Sequence, residues 1–119
     1  MSVQSLAFLI VCGIIFCSLF SAGCISTTIG NVAYSAGNLT IPFSHSGDPS
    51  EGYVQVTVYA IKNNQQEEMN TFYAPIALHP GENTAFVPGT LEPGRYKLYI
   101  YLIQNGERKA ATIRDLVVN

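Results

Sequence analysis

The clearest pattern in the chain is an alternation of apolar and polar residues in two segments, 53–62 and 95–104. In the first segment one face carries Val54, Val56, Val58 and Ala60. In the second segment the matching face carries Tyr96, Leu98, Ile100 and Leu102. A period of two is typical of a strand that buries one face. We therefore predict two strong β-strands at these positions.

A weaker alternation runs through residues 39–44, where Leu39, Ile41 and Phe43 share one face. Pro42 lies within this segment and has no N–H to donate to a neighbouring strand, so we predict an edge strand or a strand broken at Pro42. Other expected strands are a first strand around 31–34, a weaker strand pair over 69–78 that Pro75 interrupts, and a short strand over 84–87, with residues 63–68 as a polar connection.

Asn105-Gly106 is the best hairpin signal, because both residues tolerate the positive φ that a type I′ turn needs. Pairing Gln104 with Glu107 predicts that Leu98 lies opposite Ile113 and Ile100 opposite Ala111. Leu116 and Val118 break this parity, which predicts a β-bulge near residues 114–115.

Apart from the N-terminal apolar run, no stretch has helical periodicity, and about seven short strands with Gly and Pro turns predict a two-sheet antiparallel sandwich. The segment L-x-P-G-x-Y at 91–96 resembles the tyrosine corner of fibronectin type III and other immunoglobulin-like domains. The resemblance implies that the Tyr96 hydroxyl bonds back to the preceding backbone. Residues 76–83 (IALHPGEN), together with the later P-G-x-Y, also resemble CARDB-like repeats of prokaryotic surface proteins. The expected fold is an all-β, immunoglobulin-like sandwich over residues 31–119, preceded by an N-terminal hydrophobic helix.

Residues 6–20 are apolar and contain no charge. Their length fits a signal-peptide core of about 7–15 residues, and the extension to residues 3–25 reaches the roughly 20 residues of a membrane span. Ala22-Gly23-Cys24 closes the run and resembles the lipobox of prokaryotic lipoproteins, most closely those of archaeal surfaces, although Ser21 stands where Leu is usual. The resemblance implies a lipid on Cys24, with residues 1–23 as signal peptide or membrane anchor and 24–30 as a tether.

Cysteine and charge narrow the possible functions. If residues 1–23 are removed, Cys12 and Cys17 leave with them and Cys24 has no intramolecular disulfide partner. The first charged residue is Asp48, and the net charge is −2 at pH 7. A chain without a basic patch is not expected to bind nucleic acid. The expected partner is the membrane, through the lipid or the N-terminal helix.

Sequence motifs for catalysis are missing, since the chain has no G-x-S-x-G, H-E-x-x-H or phosphate-binding glycine loop. His45, Asp48 and Glu51 share one loop, but their spacing matches no metal motif, and His79 lies in a predicted turn. We therefore expect no enzyme activity, no metal site and no cofactor.

Tyrosines offer the better candidate site. If the two strong strands are neighbours, their outer faces bring together Tyr53, Tyr59, Tyr99 and Tyr101. Such a face suits an envelope protein or a glycan as partner, because tyrosines give rigid amphipathic contact area. The alternative is a purely structural role, since cross-strand tyrosine pairs also stabilise exposed sheets. Asn38-Leu39-Thr40 is a candidate N-glycosylation site.

These observations predict a lipid-anchored, extracytoplasmic module at the cell surface, with a non-catalytic binding or structural role. The alternative hypothesis keeps residues 1–23 as a membrane helix. A hydrophobic helix followed by a β-sandwich resembles pilin-like and archaellum stator proteins, and would make the chain a subunit of a surface filament or of its stator.

Overall fold

The computed structural model describes residues 27–119. Cys24 and the predictions for residues 1–26 lie outside the described residues. The described part is all-β and contains eight strands: β1 (Thr27–Ile29), β2 (Ala33–Ser35), β3 (Asn38–His45), β4 (Ser50–Lys62), β5 (Gln65–Leu78), β6 (Gly81–Pro88), β7 (Gly94–Gln104) and β8 (Glu107–Val118).

The strands form two antiparallel sheets. In sheet A, β3 pairs with β6 along one side and with β1 and β2, one after the other, along the opposite side. In sheet B the order is β5-β4-β7-β8. This arrangement confirms the prediction of an all-β fold with two antiparallel sheets.

The core lies between the inner faces of the two sheets. The predicted alternation is confirmed in β3, β4 and β7, whose inward side chains are almost completely buried: Leu39, Ile41, Phe43, Val54, Val56, Val58, Ala60, Tyr96, Leu98, Ile100 and Leu102. Full burial of an aliphatic or Phe side chain stabilises a fold by about 1.5–3 kcal/mol, so this alternation is the main source of stability.

The sandwich begins earlier than the sequence suggested. We expected residues 24–30 to form a tether, but β1 lies within this range and pairs with the end of β3. Ile29 is buried in the core. At the edge where β8 lies beside β1, the Arg114 guanidinium donates to the carbonyls of Ile29 at 2.9 Å and Gly30 at 3.2 Å. This contact attaches β8 of sheet B to the beginning of sheet A.

The prediction for Pro42 is wrong, because β3 is an unbroken central strand of sheet A. The Pro42 carbonyl accepts a bond from the Gly30 N–H at 2.8 Å, so the missing N–H of Pro42 faces the gap between β1 and β2. Gly30 also lets the chain pass close to the proline, since a Cβ there would lie 2.8 Å from Pro42 Cγ. The break therefore lies between β1 and β2, and β3, which contains Pro42, is continuous.

Three hairpins close with two-residue turns in which both residues have positive φ: Ala36-Gly37, Asn63-Asn64 and Asn105-Gly106. This geometry is that of a type I′ turn, whose twist matches the paired strands. The prediction for Asn105-Gly106 is confirmed. The predicted polar connection over 63–68 is wrong, because the turn takes only two residues and β5 begins at Gln65.

β5 is one continuous strand of 14 residues, not a pair of strands interrupted at Pro75. It lies at the edge of sheet B and pairs only with β4, and an edge strand tolerates a proline when the lost donor is not needed for pairing. A bulge sets its register, since Val58 pairs with Asn70 but Tyr59 pairs with Glu68.

The predicted register of β8 is also wrong beyond its first residues. Gln104 does pair with Glu107, but a bulge follows at once, with Ile103 opposite Arg108 and Leu102 opposite Ala110. Lys109 is the extra residue. The bulge lies beside the turn, not near 114–115, and it turns Leu116 into the core while Ile113 points outward with 52% of its surface exposed.

Candidate interaction surface on the outer face of sheet B

The structure brings the four tyrosines singled out in the sequence onto the outer face of β4 and β7. In the pairing of these strands, Tyr53 lies opposite Ile103 and Tyr59 lies opposite Lys97. Tyr99 lies opposite Thr57, and Tyr101 lies opposite Gln55. The four rings therefore lie in four successive rows of outward-facing residues that run across the strands. We call each such row a level.

Neighbouring side chains hold three of these rings in place. The Tyr59 and Tyr99 rings meet edge to face, with centroids 5.0 Å apart and an interplanar angle of 68°. The Arg108 guanidinium lies 4.2 Å from the centroid of the Tyr101 ring. The Tyr99 hydroxyl donates to Oε1 of Gln66 at 3.3 Å. Aromatic pairs and cation–π contacts of this kind fix ring orientation at the surface.

Two further large residues belong to the same face. Tyr73 of β5 lies opposite Gln55, and Ile113 of β8 lies opposite Tyr99. Tyr73 is 61% exposed. The sequence pattern contained a signal for Tyr73, because Phe72 and Ala74 were assigned to the inner face. Ile113 was missed because the predicted register, which lacked the bulge at Lys109, placed its side chain on the inner face opposite Leu98. We call the set Tyr53, Tyr59, Tyr73, Tyr99, Tyr101 and Ile113 the tyrosine face.

A shallow depression of about 480 Å³ lies on the tyrosine face, beside β8, and is lined by Tyr99, Tyr101, Ala111, Thr112 and Ile113. It exists because Ala111, opposite Tyr101, is the one small residue among larger neighbours. Its lining is mostly apolar. The depression can accept an apolar or aromatic side chain from outside the domain.

Most charged groups surround the centre of the face, and the Arg108 guanidinium reaches into it over the Tyr101 ring. Lys97 pairs with Asp115 at 3.7 Å, and Lys109 donates to Glu107 at 2.9 Å. The hydrogen bond from Lys109 and its positive charge lower the pKa of Glu107. The two central levels carry no charge across the four strands: Thr71, Thr57, Tyr99 and Ile113 in one, and Tyr73, Gln55, Tyr101 and Ala111 in the other.

The pKa of Tyr59 lies above its ordinary value. Partial desolvation raises it, and the nearby charge of Glu68 raises it further, followed by Tyr99 and Tyr101. The phenol is therefore protonated at neutral pH and remains a hydrogen-bond donor for a partner.

His45 and Glu51, which the sequence placed in one loop with Asp48, lie in β3 and β4. His45 is buried, its Nε2–H donates to the Asp48 carbonyl at 2.8 Å, and its Nδ1 lies 2.8 Å from the Thr27 hydroxyl. Within residues 27–119, no group of three or more His, Cys, Asp or Glu side chains is placed to hold a metal ion. His79 lies at the turn before β6, where its backbone N–H donates to the Asn83 side chain at 2.9 Å.

Tyr96 lies near the beginning of β7 and is buried. Its hydroxyl donates to the Glu92 carbonyl at 2.6 Å. Burial raises the pKa of Tyr96, and the Glu92 charge and Tyr34 raise it further. This hydrogen bond ties β7, which carries Tyr99 and Tyr101, to the loop before it.

Asn38, the candidate glycosylation residue, is exposed at the first position of β3, directly after the Ala36-Gly37 turn. It lies at the end of the sandwich opposite to Thr27, because β1 pairs with the far end of β3. A glycan at Asn38 would therefore project away from the end where the described chain begins.

No model of a known protein family matches the chain, and a comparison with curated proteins found no similar sequence. Between residues 27 and 119, no helix is long and apolar enough to cross a membrane.

Proposed function

We propose that the protein is a lipid-anchored, extracytoplasmic module of the cell envelope with a non-catalytic binding or structural role, and that the tyrosine face is its contact surface. The observation that carries the proposal is the concentration of large, exposed apolar and aromatic side chains on the outer face of sheet B. Tyr53 is 59%, Tyr73 61% and Ile113 52% exposed.

Burial of this face by a partner would be favourable. Aromatic residues are enriched and charges depleted at the centres of protein interfaces, and contiguous exposed apolar patches mark interaction sites. The charged pairs around the face fit the polar rim of such an interface. The edge-to-face pair of Tyr59 and Tyr99 also reduces the entropy that the rings lose on binding.

The strand order supports an immunoglobulin-like assignment of the sandwich. If β1 and β2 are two parts of a split first strand, sheet A contains the first, second and fifth strands of that fold. Sheet B then contains its third, sixth and seventh strands, extended at the edge by β5. The hydrogen bond from Tyr96 to Glu92, at the entry to the sixth strand, supports the same assignment.

The lipid anchor rests on the residues Ala22-Gly23-Cys24 and on the uncharged run before them. Thr27 begins β1, only three residues after Cys24. A lipid on Cys24 would therefore hold the sandwich close to the membrane, with almost no tether.

The intact mass of the protein extracted from membranes tests the anchor. We expect loss of residues 1–23 and a lipid-sized addition on Cys24. A Cys24→Ser variant should lose the addition and keep the leader. An intact N-terminus without lipid in the unaltered protein would instead favour the retained membrane helix.

Replacement of Tyr99 and Tyr101 by Ser tests the contact surface. Both side chains lie outside the core, so the variant should fold, and we expect at least a tenfold loss of affinity for any partner of the face. Phe86→Ser is the control, because Phe86 is an exposed aromatic residue on the outer face of the other sheet, sheet A. Equal binding by all three proteins would leave the tyrosines with a structural role only.

A further inference from the structure

We propose that the occupant of the tyrosine face is a second copy of this chain, in a two-fold dimer whose axis runs along the strands. This inference rests on the proposed anchor and contact surface and names their partner. It follows from the direction in which the face points and from the complementary shapes on its two sides.

The fold gives the domain a defined orientation relative to its N-terminus. Thr27 pairs with His45 at one end of sheet A. The turns at 46–49 and 79–80 place the beginning of β4 and the end of β5 at this same end. An anchor before residue 27 would therefore hold this end at the membrane. The strands would point away from the membrane, and the tyrosine face would point sideways along it.

Two copies anchored in one membrane have the same orientation. If they meet through the same face, the two-fold axis must be perpendicular to the membrane and parallel to the strands. This operation places β5 opposite the partner's β8 and β4 opposite the partner's β7, with residues of each level meeting the same level. The strand order β5-β4-β7-β8 thus determines which side chains meet.

The central levels match in shape under this operation. Tyr73, the most exposed tyrosine of the face, lies at the level of Tyr101 and Ala111, and therefore opposite the partner's Ala111. That position is the shallow depression lined by Tyr99, Tyr101 and Ile113. Each copy thus provides one protruding ring and one depression, and the two contacts form together.

Other pairs of side chains across the dimer are also compatible. Tyr99 lies opposite the partner's Thr57, and Tyr101 lies opposite the partner's Gln55. At the level nearer the free end, Tyr59 lies opposite the partner's Lys97, a cation over an aromatic ring. Glu68 faces the partner's Asp115 there, and Lys97 offsets the charge of Asp115 at 3.7 Å.

The size of the face is sufficient for a membrane-held dimer. Four strands about 4.8 Å apart, with four levels of outward residues about 6.8 Å apart along each strand, give about 520 Å² of projected area per copy. A standard interface buries about 800 Å² per partner. Confinement of both copies to one membrane raises their effective concentration, which reduces the intrinsic affinity that the contact needs.

An exchange of the protruding ring and the small residue tests the geometry. The full-length protein is incorporated in lipid vesicles, and self-association is measured by energy transfer between labelled copies as a function of protein density. Tyr73→Ala should weaken self-association at least about tenfold because it removes the ring. Ala111→Tyr should weaken it similarly because it fills the depression. The double variant should recover to within about threefold of the original, since each Tyr at 111 then meets an Ala at 73.

Phe86→Ala on sheet A is the control and should associate normally. Circular dichroism checks that each variant is folded, and a photo-crosslinking residue at position 73 should give a product of twice the chain mass, joined near residue 111. Weakening by the single changes without recovery in the double variant would overturn this geometry. Absence of self-association, with another envelope protein bound through Tyr99 and Tyr101, would overturn the dimer and leave the contact surface standing. Absence of both would overturn the proposed contact surface as well, and the anchor is tested separately by the intact mass.

Discussion

Both sheets bury apolar inner faces but carry very different outer faces. The outer face of sheet A is built largely from small or polar residues such as Thr40, Ser44 and Thr84, with Phe86 as its exposed large side chain. The outer face of sheet B carries five tyrosines and Ile113. Inner positions are constrained by packing, whereas outer positions are free to serve binding. Both sheets support the fold through their inner faces, and the difference is the basis for proposing the outer face of sheet B, not that of sheet A, as the contact surface.

The sharpest test of this division compares two phenylalanines of sheet A. Phe43 is fully buried, whereas Phe86 is 65% exposed. Phe43→Ala should lower the free energy of unfolding by about 3–5 kcal/mol. Phe86→Ala should change it by no more than about 0.5 kcal/mol. Urea unfolding followed by circular dichroism measures both, and similar losses would show that the outer face of sheet A also contributes to packing.

A second test breaks the link between the sheets. Arg114→Met removes two hydrogen bonds from a charged donor to the carbonyls of Ile29 and Gly30. Because those carbonyls are partly shielded from water, the variant should lose about 1.5–3 kcal/mol of stability. Arg108→Met, which removes only the exposed contact with the Tyr101 ring, should lose about 0.5–1 kcal/mol. Thermal unfolding of the two variants would contradict the assignment if their order were reversed.

The third test concerns the loop that positions β7. Tyr96→Phe removes the hydrogen bond to Glu92 and should lower the free energy of unfolding by about 1 kcal/mol at neutral pH.

The same variant tests the raised pKa of Tyr96. The folded state retains the phenol proton to higher pH than the unfolded state, so stability is full below about pH 10 and falls as pH rises through the folded pKa. Urea unfolding at pH 8 and above pH 10 should show this fall, and it should be smaller in Tyr96→Phe. Tyr59→Phe is a useful companion, because Tyr59 also has a raised pKa. An unchanged slope in both variants would show that other groups cause the alkaline loss.

The smallest expected effect compares a turn of sheet A with a turn of sheet B. Ala36 and Asn105 occupy the same place in their hairpins, and both have a φ of 52°. Alanine is disfavoured in this region, whereas asparagine tolerates it. Ala36→Asn should therefore raise stability by about 0.5–1 kcal/mol, and Asn105→Ala should lower it by a similar amount. Shifts of the same sign in thermal unfolding would contradict this explanation.

Local alternation and turn chemistry in the sequence predicted the inner faces, the turn at Asn105-Gly106 and the shared face of the four tyrosines. The register of β8 was not predicted, because the extra residue Lys109 shifts every later pair by one residue, so that Leu98 lies opposite Arg114. The sequence also wrongly predicted that Pro42 lies in an edge or broken strand. Pro42 fits a central strand because the first strand, which would need its N–H, is broken at Gly30. Ile113 could not be assigned to the tyrosine face without that register.

The split first strand has a mechanical consequence. β1 pairs with β3 through only three residue pairs. A force applied through the preceding chain therefore acts on this short strand before it acts on the rest of the sandwich. Such a pull along the strands loads these three pairs together in shear, and the break at Gly30 separates them from β2. Release of residues 27–32 would lengthen the chain by about 20 Å, while β2, still paired with β3, keeps the remaining sandwich closed.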